Sequence, residues 1–191
     1  MPHSFFAYLS RMRYIGRWGL MRSTVQENVQ EHSHMVAVLA HALAVIRRDV
    51  LGEEIDPGQV AAAALFHDAP EIFTGDLPTP VKYHNDEIRS AYRQVEDAAT
   101  ARLLDTLPPV LRPAYGELLS PVDPAVDELV KAADKLSAYL KCMEELKAGN
   151  SEFAAAAKQT MEALQHMDLP ELAYFQREFL PAFSRTLDEL S

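Results

Sequence analysis

The chain has 191 residues, of which 48% are hydrophobic, and this length and composition predict a single domain spanning residues 1–191 with a sizeable core. The formal net charge of −10 argues against binding to nucleic acid polymers or to membranes, although a local basic pocket could still bind a small phosphate. The single cysteine, Cys142, and the lack of a signal peptide or of any run approaching the ~18 apolar residues of a membrane span predict a soluble cytoplasmic protein without intrachain disulfides.

The first predicted elements are a short helix and a bend. Apolar residues recur at helical spacing from Phe5 to Met12. Gly16 and Gly19 then flank Arg17-Trp18, which predicts a bend that presents both side chains. A guanidinium matches phosphate oxygens and an indole forms a flat wall, but a surface arginine beside a core tryptophan accounts for the same pair.

A long amphipathic helix is predicted from Asn28 to Leu51. Its apolar face is Val29, Val36, Leu39, Ala40, Leu43, Ile46 and Val50. His32 falls on this face, whereas His34 and His41 lie away from its centre. On this pattern alone, His32 is either a hydrogen-bonded core histidine or a metal ligand.

The next helix begins at Asp56-Pro57, an N-cap followed by a first-turn proline. Its apolar positions are Val60, Ala61, Ala64 and Leu65. Continued, this stripe takes Asp68, with His67 at its border. Because buried polar groups are costly unless they are paired or bound to a metal, the His67-Asp68 pair indicates a candidate site. Pro70 is expected to end or kink the helix just before Glu71.

Residues 74–80 are dense in turn-forming residues and are predicted to form a stiff loop. This loop could place Asp76 and Thr79 as hydrogen-bonding groups for a ligand. It could equally be a connector that caps the end of a helix.

Four further helices are predicted over about 86–107, 124–149, 151–167 and 170–189, with a short helix and loop over 109–124. The first has the inner face Ile88, Tyr92, Val95, Ala99 and Leu103, and the second has Val126, Leu129, Val130, Ala133, Leu136, Leu140 and Met143. Asp134 lies at the edge of the second face, where a carboxylate is either solvated or held by a cation. Glu144, Glu145 and Lys147 are expected to form a solvated face.

These patterns predict an all-α protein with about six to eight helices around one core. No β-alternating run, glycine-rich phosphate loop or internal repeat is present. The polar groups on or beside inward faces are His32, His67, Asp68 and Asp134. Two imidazoles and two carboxylates suit a divalent first-row metal with open positions for water and a phosphoryl oxygen.

The order His32, His67-Asp68, Asp134 resembles the H…HD…D signature of HD-domain phosphohydrolases. Several longer stretches resemble the bacterial 5′-deoxynucleotidase family related to YfbR, from about Phe5 to Leu190. They are Arg17-Trp18, Glu27-Asn28-Val29 with Glu31-His32-Ser33, His67-Asp68-Ala69 with Glu71, Gly75-Asp76-Leu77-Pro78-Thr79-Pro80-Val81-Lys82-Tyr83, and Tyr139-Leu140-Lys141-Cys142 with Glu144-Glu145-Leu146.

The resemblance implies an HD-domain helical bundle that hydrolyses deoxyribonucleoside 5′-monophosphates to deoxyribonucleoside and phosphate. It implies one divalent ion per chain, cobalt first and manganese or copper as substitutes, held by the four ligands His32, His67, Asp68 and Asp134. Glu71 would orient the attacking water or move a proton. Arg17 would act with it by neutralising phosphate charge. A homodimer is also implied.

Substrate recognition is implied in the same way. Trp18 would form a wall for the sugar and help reject the ribose 2′-hydroxyl, and Asp76 would accept a hydrogen bond from the 3′-hydroxyl. The substrate-binding set is Arg17, Trp18, His32, Asp68, Asp76, Leu77, Pro78, Thr79 and Asp134. Few of these side chains would reach the base, so all the common bases should be accepted.

Three alternatives stay open at this point. The chain could be another HD-domain hydrolase, acting on nucleoside triphosphates, cyclic nucleotides or a non-nucleotide phosphate. It could be a non-catalytic module that binds a metal or a nucleotide, although Glu71 beside an intact ligand set argues against that. It could also be a helical scaffold whose core histidines are satisfied by hydrogen bonds.

Overall fold

The computed structural model describes residues 2–82 and 84–190, without the side chain of Thr79. Tyr83, the last residue of the nine-residue motif that begins at Gly75, lies outside the described residues. The described chain contains no β-strand, only an isolated antiparallel bridge between Gly16 and Asn28, which confirms the predicted all-α class. The α-helices are α1 (Phe5–Leu9), α2 (Val29–Val45), α3 (Pro57–Phe66), α4 (Glu71–Thr74), α5 (Thr79–Lys82), α6 (Asp86–Asp105), α7 (Arg112–Leu119), α8 (Pro124–Lys147), α9 (Ala154–Gln165) and α10 (Pro170–Glu178).

The main core lies between α2, α3 and α8, and α10 covers it. Each of α2, α3 and α8 follows a residue whose side chain accepts hydrogen bonds from backbone N–H groups of the first turn. These residues are Asn28, Asp56 and Asp123. Their apolar faces meet in a cluster of buried side chains that includes Leu43 and Leu136. Burial of each such leucine contributes about 1.5–3 kcal/mol, so this cluster sets the relative positions of the three helices.

A second apolar cluster lies against the segment that follows α3. Ala69, directly after the His67-Asp68 pair, is fully buried there beside Phe5 of α1 and Leu103 of α6. Apolar packing therefore holds this segment on both sides of the pair, through α3 before it and Ala69 after it.

In the helix predicted from Asn28 to Leu51, Val50 of the predicted apolar face is exposed, and the inner faces predicted for α3 and α6 are also partly wrong. In α3, Leu65 is exposed, and Ala63 is buried instead. In α6, Ile88 and Val95 are exposed, because in the first half of this helix only Tyr92 is partly covered. The spacing of apolar residues therefore located these helices correctly without identifying which side chains other elements cover.

Several predicted boundaries also differ from the structure. The helix predicted to reach Leu51 changes to a π-helical turn over Ile46–Val50. The predicted loop over 74–80 is already helical at Thr79, where α5 begins. The last predicted helix ends at Glu178, and short 3₁₀ turns over Leu180–Ser184 and Leu187–Leu190 follow it. Within the described ranges, no helix combines the length and the apolar character that crossing a membrane requires.

A buried ion pair beside the main core has no counterpart in the sequence predictions. The guanidinium of Arg47, in the π-helical turn, donates to Glu171 on α10 and also to Glu128 on α8 at 3.3 Å. Glu171 is almost completely buried. Because an unpaired buried charge is strongly unfavourable, this pair fixes the position at which α10 packs.

Replacement of a core leucine should test the role of the α2, α3 and α8 cluster. We expect Leu43→Ala to lower the free energy of unfolding by about 3 kcal/mol, because it removes buried methyl groups and leaves a cavity. Urea denaturation followed by circular dichroism measures this. Leu187→Ala is the control, since Leu187 is 84% exposed, and its effect should stay below about 0.5 kcal/mol. Equal effects of the two changes would contradict this description of the core.

Candidate active site

His32, on the buried face of α2, points towards α8. Its Nε2 lies 3.0 Å from Oδ1 of Asp134, and its Nδ1 lies 3.2 Å from the hydroxyl oxygen of Ser137. The imidazole is fully buried, so these two contacts fix the orientation of its ring. Ser137 was not among the predicted site residues, although it follows Asp134 by three residues and so lies on the same side of α8.

His67 comes directly after the last residue of α3, and its Nδ1 donates to the carbonyl oxygen of Ala64 at 2.7 Å. In a neutral ring this bond leaves Nε2 as an unprotonated acceptor. Nε2 is buried without a hydrogen-bond partner, and Oδ2 of Asp68 lies only 3.1 Å from it. Two facing acceptors are unfavourable unless a proton or a cation lies between them, so this geometry fits a metal ligand pair.

The structure brings His32, His67 and Asp68 to one point. Their candidate ligand atoms all lie within 4.8 Å of one another, the only such group of His, Cys, Asp or Glu found in the described ranges. Asp134 is not part of this compact group but contacts it through His32. Imidazole and carboxylate donors without a thiolate suit a divalent first-row ion, and the residues present therefore fit the implied metal.

The electrostatics of this group favour a bound cation. Burial would raise the pKa of Asp68, but His67, His32 and Arg17 together hold it well below its usual range. Burial acts in the same direction on Asp134, where the hydrogen bond from His32 and the charges of His32 and His67 together outweigh it and lower the pKa to about 2. Burial would lower the pKa of His67, but Asp68 raises it to about 9. The carboxylates therefore stay negative, and their charge favours a nearby positive charge, either a proton on His67 or a metal ion.

Arg17 and Trp18 lie beside this group in a tight bend. Nη1 of Arg17 is 3.3 Å from Oδ2 of Asp68, and its Nε is 3.1 Å from Oε2 of Glu27. Nε1 of Trp18 donates to the same Oε2 at 2.9 Å, and its ring packs on Phe153 with centroids 5.2 Å apart. Both side chains are therefore presented at the site, as the flanking glycines predicted, and Glu27 is a contact that the prediction missed.

Glu71 begins α4, one turn after the His67-Asp68 pair. It is 4% exposed, its Oε1 accepts from Nζ of Lys82 at 3.1 Å, and its Oε2 has no hydrogen-bond partner. Burial and the nearby Asp68 raise the pKa of Glu71 to about 8, although Lys82 opposes them. A carboxyl group with this pKa can exchange a proton near neutral pH.

A cavity of about 440 Å³ opens next to these side chains. Of the predicted substrate-binding residues, it is lined by Arg17, Trp18, Asp76, Pro78 and Asp134. Leu77 is partly buried but does not line it, and the side chain of Thr79 lies outside the part of the chain that the structure describes. The opposite wall is formed by α9 and by the end of the segment between α8 and α9, and half of its residues are alanines: Glu152, Ala155, Ala156, Gln159, Thr160 and Ala163.

A buried polar network on α8 anchors the chain that follows the Arg17-Trp18 bend. Glu145 was predicted to be solvated, and this prediction is wrong because its side chain is only 1% exposed. It accepts hydrogen bonds from the backbone N–H of Thr24, from Lys141 and from Asn150. Lys141 also donates to the carbonyl oxygen of Val25. The spacing of Ser137, Lys141 and Glu145 by four residues was the available signal for one polar edge of a helix.

Family and sequence comparisons point to a single class of protein. A model of the YfbR-like 5′-deoxynucleotidase family matches residues 4–183. A 5′-deoxynucleotidase of Vibrio cholerae is 49% identical over 189 residues, which cover 98% of this chain and 97% of that protein. A 5′-deoxynucleotidase of Erwinia tasmaniensis is 47% identical over 194 residues, which cover 100% of this chain and 98% of that protein.

Solved structures give a consistent result. An HD-domain phosphohydrolase from Listeria innocua has a TM-score of 0.83 and 26% identity, over 95% of this chain and 88% of that chain. An HD phosphohydrolase of cyanophage S-2L, bound to dA and one catalytic Zn²⁺ ion, has a TM-score of 0.66 and 26% identity over 96% of both chains. The predicted HD-domain helical bundle is therefore confirmed.

The Glu145 network gives a pH-dependent stability test. Because hydrogen bonds from Lys141, Asn150 and Thr24 hold the pKa of Glu145 below its ordinary value against the effect of burial, its stabilising effect is present above that ordinary value. We expect Glu145→Gln to lower the free energy of unfolding by about 3 kcal/mol at pH 7, since Lys141 stays buried without its partner. This difference in the free energy of unfolding between the variant and the wild type should shrink as the pH falls below ~4.5, because Glu145 of the unfolded wild-type protein takes up a proton there.

Chemical denaturation of both proteins between pH 7 and pH 3.5 measures this difference. Glu144→Gln is the matched control, because Glu144 is the exposed neighbour on the same helix, and it should change stability by less than about 0.5 kcal/mol. A deficit of Glu145→Gln that is constant over this pH range would mean that the charge of Glu145 does not stabilise the fold.

Proposed function

Because the chain belongs to the YfbR-like 5′-deoxynucleotidase family, we propose that the residues around the His67-Asp68 pair carry out this family's reaction. The chain is a metal-dependent 5′-deoxynucleotidase, an HD-domain hydrolase. The observation that carries the assignment of residues is the meeting of His32, His67, Asp68 and Asp134 beside a cavity that also exposes Arg17. No other group of such side chains in the described ranges combines candidate ligands with a nearby cation.

One divalent ion per chain is proposed to be held by His32, His67, Asp68 and Asp134. Nε2 of His67, which is buried 3.1 Å from Oδ2 of Asp68 without a hydrogen bond, and the lowered pKa values of both carboxylates support this set. The catalytic Zn²⁺ of the cyanophage relative supports a first-row ion, and cobalt, manganese and copper are further candidates. When bound, such an ion supplies Lewis acidity to the phosphate and to the attacking water.

The substrate is proposed to be a deoxyribonucleoside 5′-monophosphate, which breaks down to a deoxyribonucleoside and phosphate. Arg17, with its guanidinium 3.3 Å from Asp68, would bind the phosphate and neutralise charge as the bond to the 5′ oxygen breaks. Trp18 would form the wall against the sugar and disfavour a 2′-hydroxyl. Asp76 would accept a hydrogen bond from the 3′-hydroxyl, and Leu77, Pro78 and Thr79 would complete this loop.

The opposite wall of the cavity supports broad acceptance of bases. Ala155, Ala156 and Ala163 offer only methyl groups there, so few polar contacts are available to select one base. Gln159 and Thr160 are flexible enough in their hydrogen bonding to serve as donor or acceptor. The dA bound to the cyanophage relative is consistent with a deoxynucleoside in the cavity.

Glu71 is proposed to orient the attacking water and to move its proton. Its buried carboxylate faces Lys82 through Oε1 and leaves Oε2 free to accept a hydrogen bond. Burial and Asp68 raise the pKa of Glu71 to about 8 although Lys82 opposes them, so a fraction of this carboxyl group is ionised near neutral pH and can accept a proton. Arg17 and Glu71 are thus the two proposed catalytic side chains besides the metal ligands.

We also propose a cytoplasmic homodimer built from one domain over residues 1–191. Family membership supports this assembly, and the exposed Phe179 and Phe183 after α10 offer apolar surface for a second copy. Light scattering on the purified protein measures the oligomeric state. A monomer at micromolar concentration would exclude the dimer and leave the proposed reaction unaffected.

A phosphate-release panel tests the proposed function. The purified chain is incubated with deoxyribo- and ribonucleoside 5′-monophosphates, with a deoxynucleoside triphosphate and with a cyclic nucleotide, each with and without Co²⁺, Mn²⁺ or Zn²⁺. We expect metal-dependent release of inorganic phosphate from the deoxyribonucleoside monophosphates and little from the ribonucleotides. Release of triphosphate, or hydrolysis of the cyclic nucleotide alone, would instead indicate another HD-domain hydrolase.

Loss of a metal ligand should weaken metal binding strongly. We expect His67→Ala to weaken Co²⁺ binding by about 100-fold or more, because the remaining donors leave the ion short of a ligand. Metal content after equilibrium dialysis, measured by mass spectrometry, gives this value. His41→Ala is the control, because His41 is an exposed histidine on α2 and should leave one ion per chain. Full metal content in His67→Ala would remove His67 from the ligand set.

Replacement of the proposed proton-transfer group should separate metal binding from turnover. We expect Glu71→Gln to keep one ion per chain while kcat falls by about 10²–10⁴-fold, since the amide cannot accept the proton. Steady-state kinetics on a deoxynucleoside monophosphate and metal analysis of the same sample measure both. Turnover equal to that of the wild type would show that Glu71 has no role in proton transfer.

A further inference from the structure

One carboxylate oxygen contacts both side chains that are proposed to bind the substrate. Oε2 of Glu27 accepts a hydrogen bond from Nε of Arg17 at 3.1 Å and another from Nε1 of Trp18 at 2.9 Å. The side chain of Glu27 is only 16% exposed, so both bonds are largely shielded from water. Indole has no other donor, and the bond therefore fixes the rotation of the ring.

The backbone holds Glu27 opposite the bend independently of its side chain. The N–H of Arg17 donates to the carbonyl oxygen of Glu27 at 2.9 Å, and Gly16 pairs with Asn28 in an antiparallel bridge. Trp18 has φ +60°, a left-handed conformation that costs an ordinary residue about 1 kcal/mol or more. Contacts around Trp18 must offset this cost, and its bond to Glu27 is the hydrogen bond that its side chain makes.

Glu27 also competes with the metal-binding carboxylates for Arg17. Nη1 of Arg17 already lies 3.3 Å from Asp68. Asp68, Asp134 and Glu27 are all close enough to act on the charge of this guanidinium. Because Glu27 engages Nε, on the other side of the guanidinium from Nη1, it prevents Arg17 from turning fully onto Asp68. The remaining N–H groups of Arg17 can then face the cavity that it lines.

We propose that Glu27 is a positioning residue that sets Arg17 and Trp18 in one fixed arrangement and so couples phosphate binding to sugar selectivity. This inference rests on the proposed function, in which Arg17 binds the phosphate and Trp18 selects against ribose. Glu27 itself does not line the cavity in which the substrate is proposed to bind. Loss of its side chain should therefore change both properties together, which a defect in either side chain alone would not do.

The test compares four variants with the wild-type protein. Glu27→Ala removes both hydrogen bonds, Glu27→Asp keeps the charge but withdraws the oxygen by one methylene, and Glu27→Gln keeps an acceptor oxygen at the original distance. Glu31→Ala is the control, since Glu31 is an exposed carboxylate one turn into α2. The readouts are kcat and KM on matched deoxyribo- and ribonucleoside monophosphates, and acrylamide quenching of tryptophan fluorescence.

Fluorescence reports on this site directly, because Trp18 is the only tryptophan in the chain. We expect Glu27→Ala and Glu27→Asp to increase the quenching of Trp18 fluorescence. Both changes should also raise KM for the deoxynucleotide about tenfold and reduce the preference for deoxyribose about tenfold, because each effect corresponds to the loss of one hydrogen bond to a charged group. Glu27→Gln should restore the quenching and the sugar preference of the wild type. Glu31→Ala should match the wild type in all three.

A double variant separates positioning from a general structural effect. If Glu27 acts on sugar selectivity through Trp18, then Trp18→Ala combined with Glu27→Ala should have the same preference for deoxyribose as Trp18→Ala alone. If Glu27→Ala does not fold, the inference is tested by comparing the quenching and the deoxyribose preference of Glu27→Asp with those of Glu27→Gln. Sugar preference and quenching unchanged in Glu27→Asp would overturn the inference. A wild-type protein without any preference for deoxyribose would instead overturn the proposed function.

Discussion

The contact between His32 on α2 and Asp134 on α8, with 3.0 Å between Nε2 and Oδ1, is the constraint on which the rest of the site depends. It places a fully buried imidazole beside a partly exposed carboxylate at the edge of an apolar core, where the imidazole is stable only with hydrogen-bond partners. The packing of α2, α3 and α8 supplies the free energy that holds them there. The same packing brings His67 and Asp68 to that point, and the outcome is a cluster with an excess of negative charge that favours a cation.

Much of this arrangement could be predicted from the sequence because it depends on the spacing of apolar and polar residues within single helices. The N-cap residue before α3 and the spacing of apolar residues along α2, α3 and α8 located these helices. Polar residues on or beside those apolar faces then identified His32, His67, Asp68 and Asp134. The spacing of apolar residues did not predict which side chains other elements cover. Leu65, Ile88 and Val95 continue the apolar spacing of their helices, yet they are exposed because no neighbouring element covers them.

The contacts that could not be predicted join residues far apart in the sequence. Glu27 reaches back across a bend to Arg17 and Trp18, and Glu145 binds Thr24 from more than a hundred residues away. A periodic pattern describes one helix and its faces, so it cannot say what a given polar side chain will meet. The four-residue spacing of Lys141 and Glu145 indicated one polar edge of α8, but it could not show that this edge is buried while Glu144 is exposed.

Helix α8 links the metal ligands to the substrate-binding bend. Asp134, Ser137, Lys141 and Glu145 follow one edge of it at spacings of three or four residues. The first contacts His32 and the second orients it, while the other two hold the backbone at Thr24 and Val25. Glu27 is two residues beyond Val25, so the position of the Arg17-Trp18 bend relative to the proposed ion is set by a single rigid element. A shift of α8 along its axis would move the ligand and the bend together, because this one polar edge contacts both.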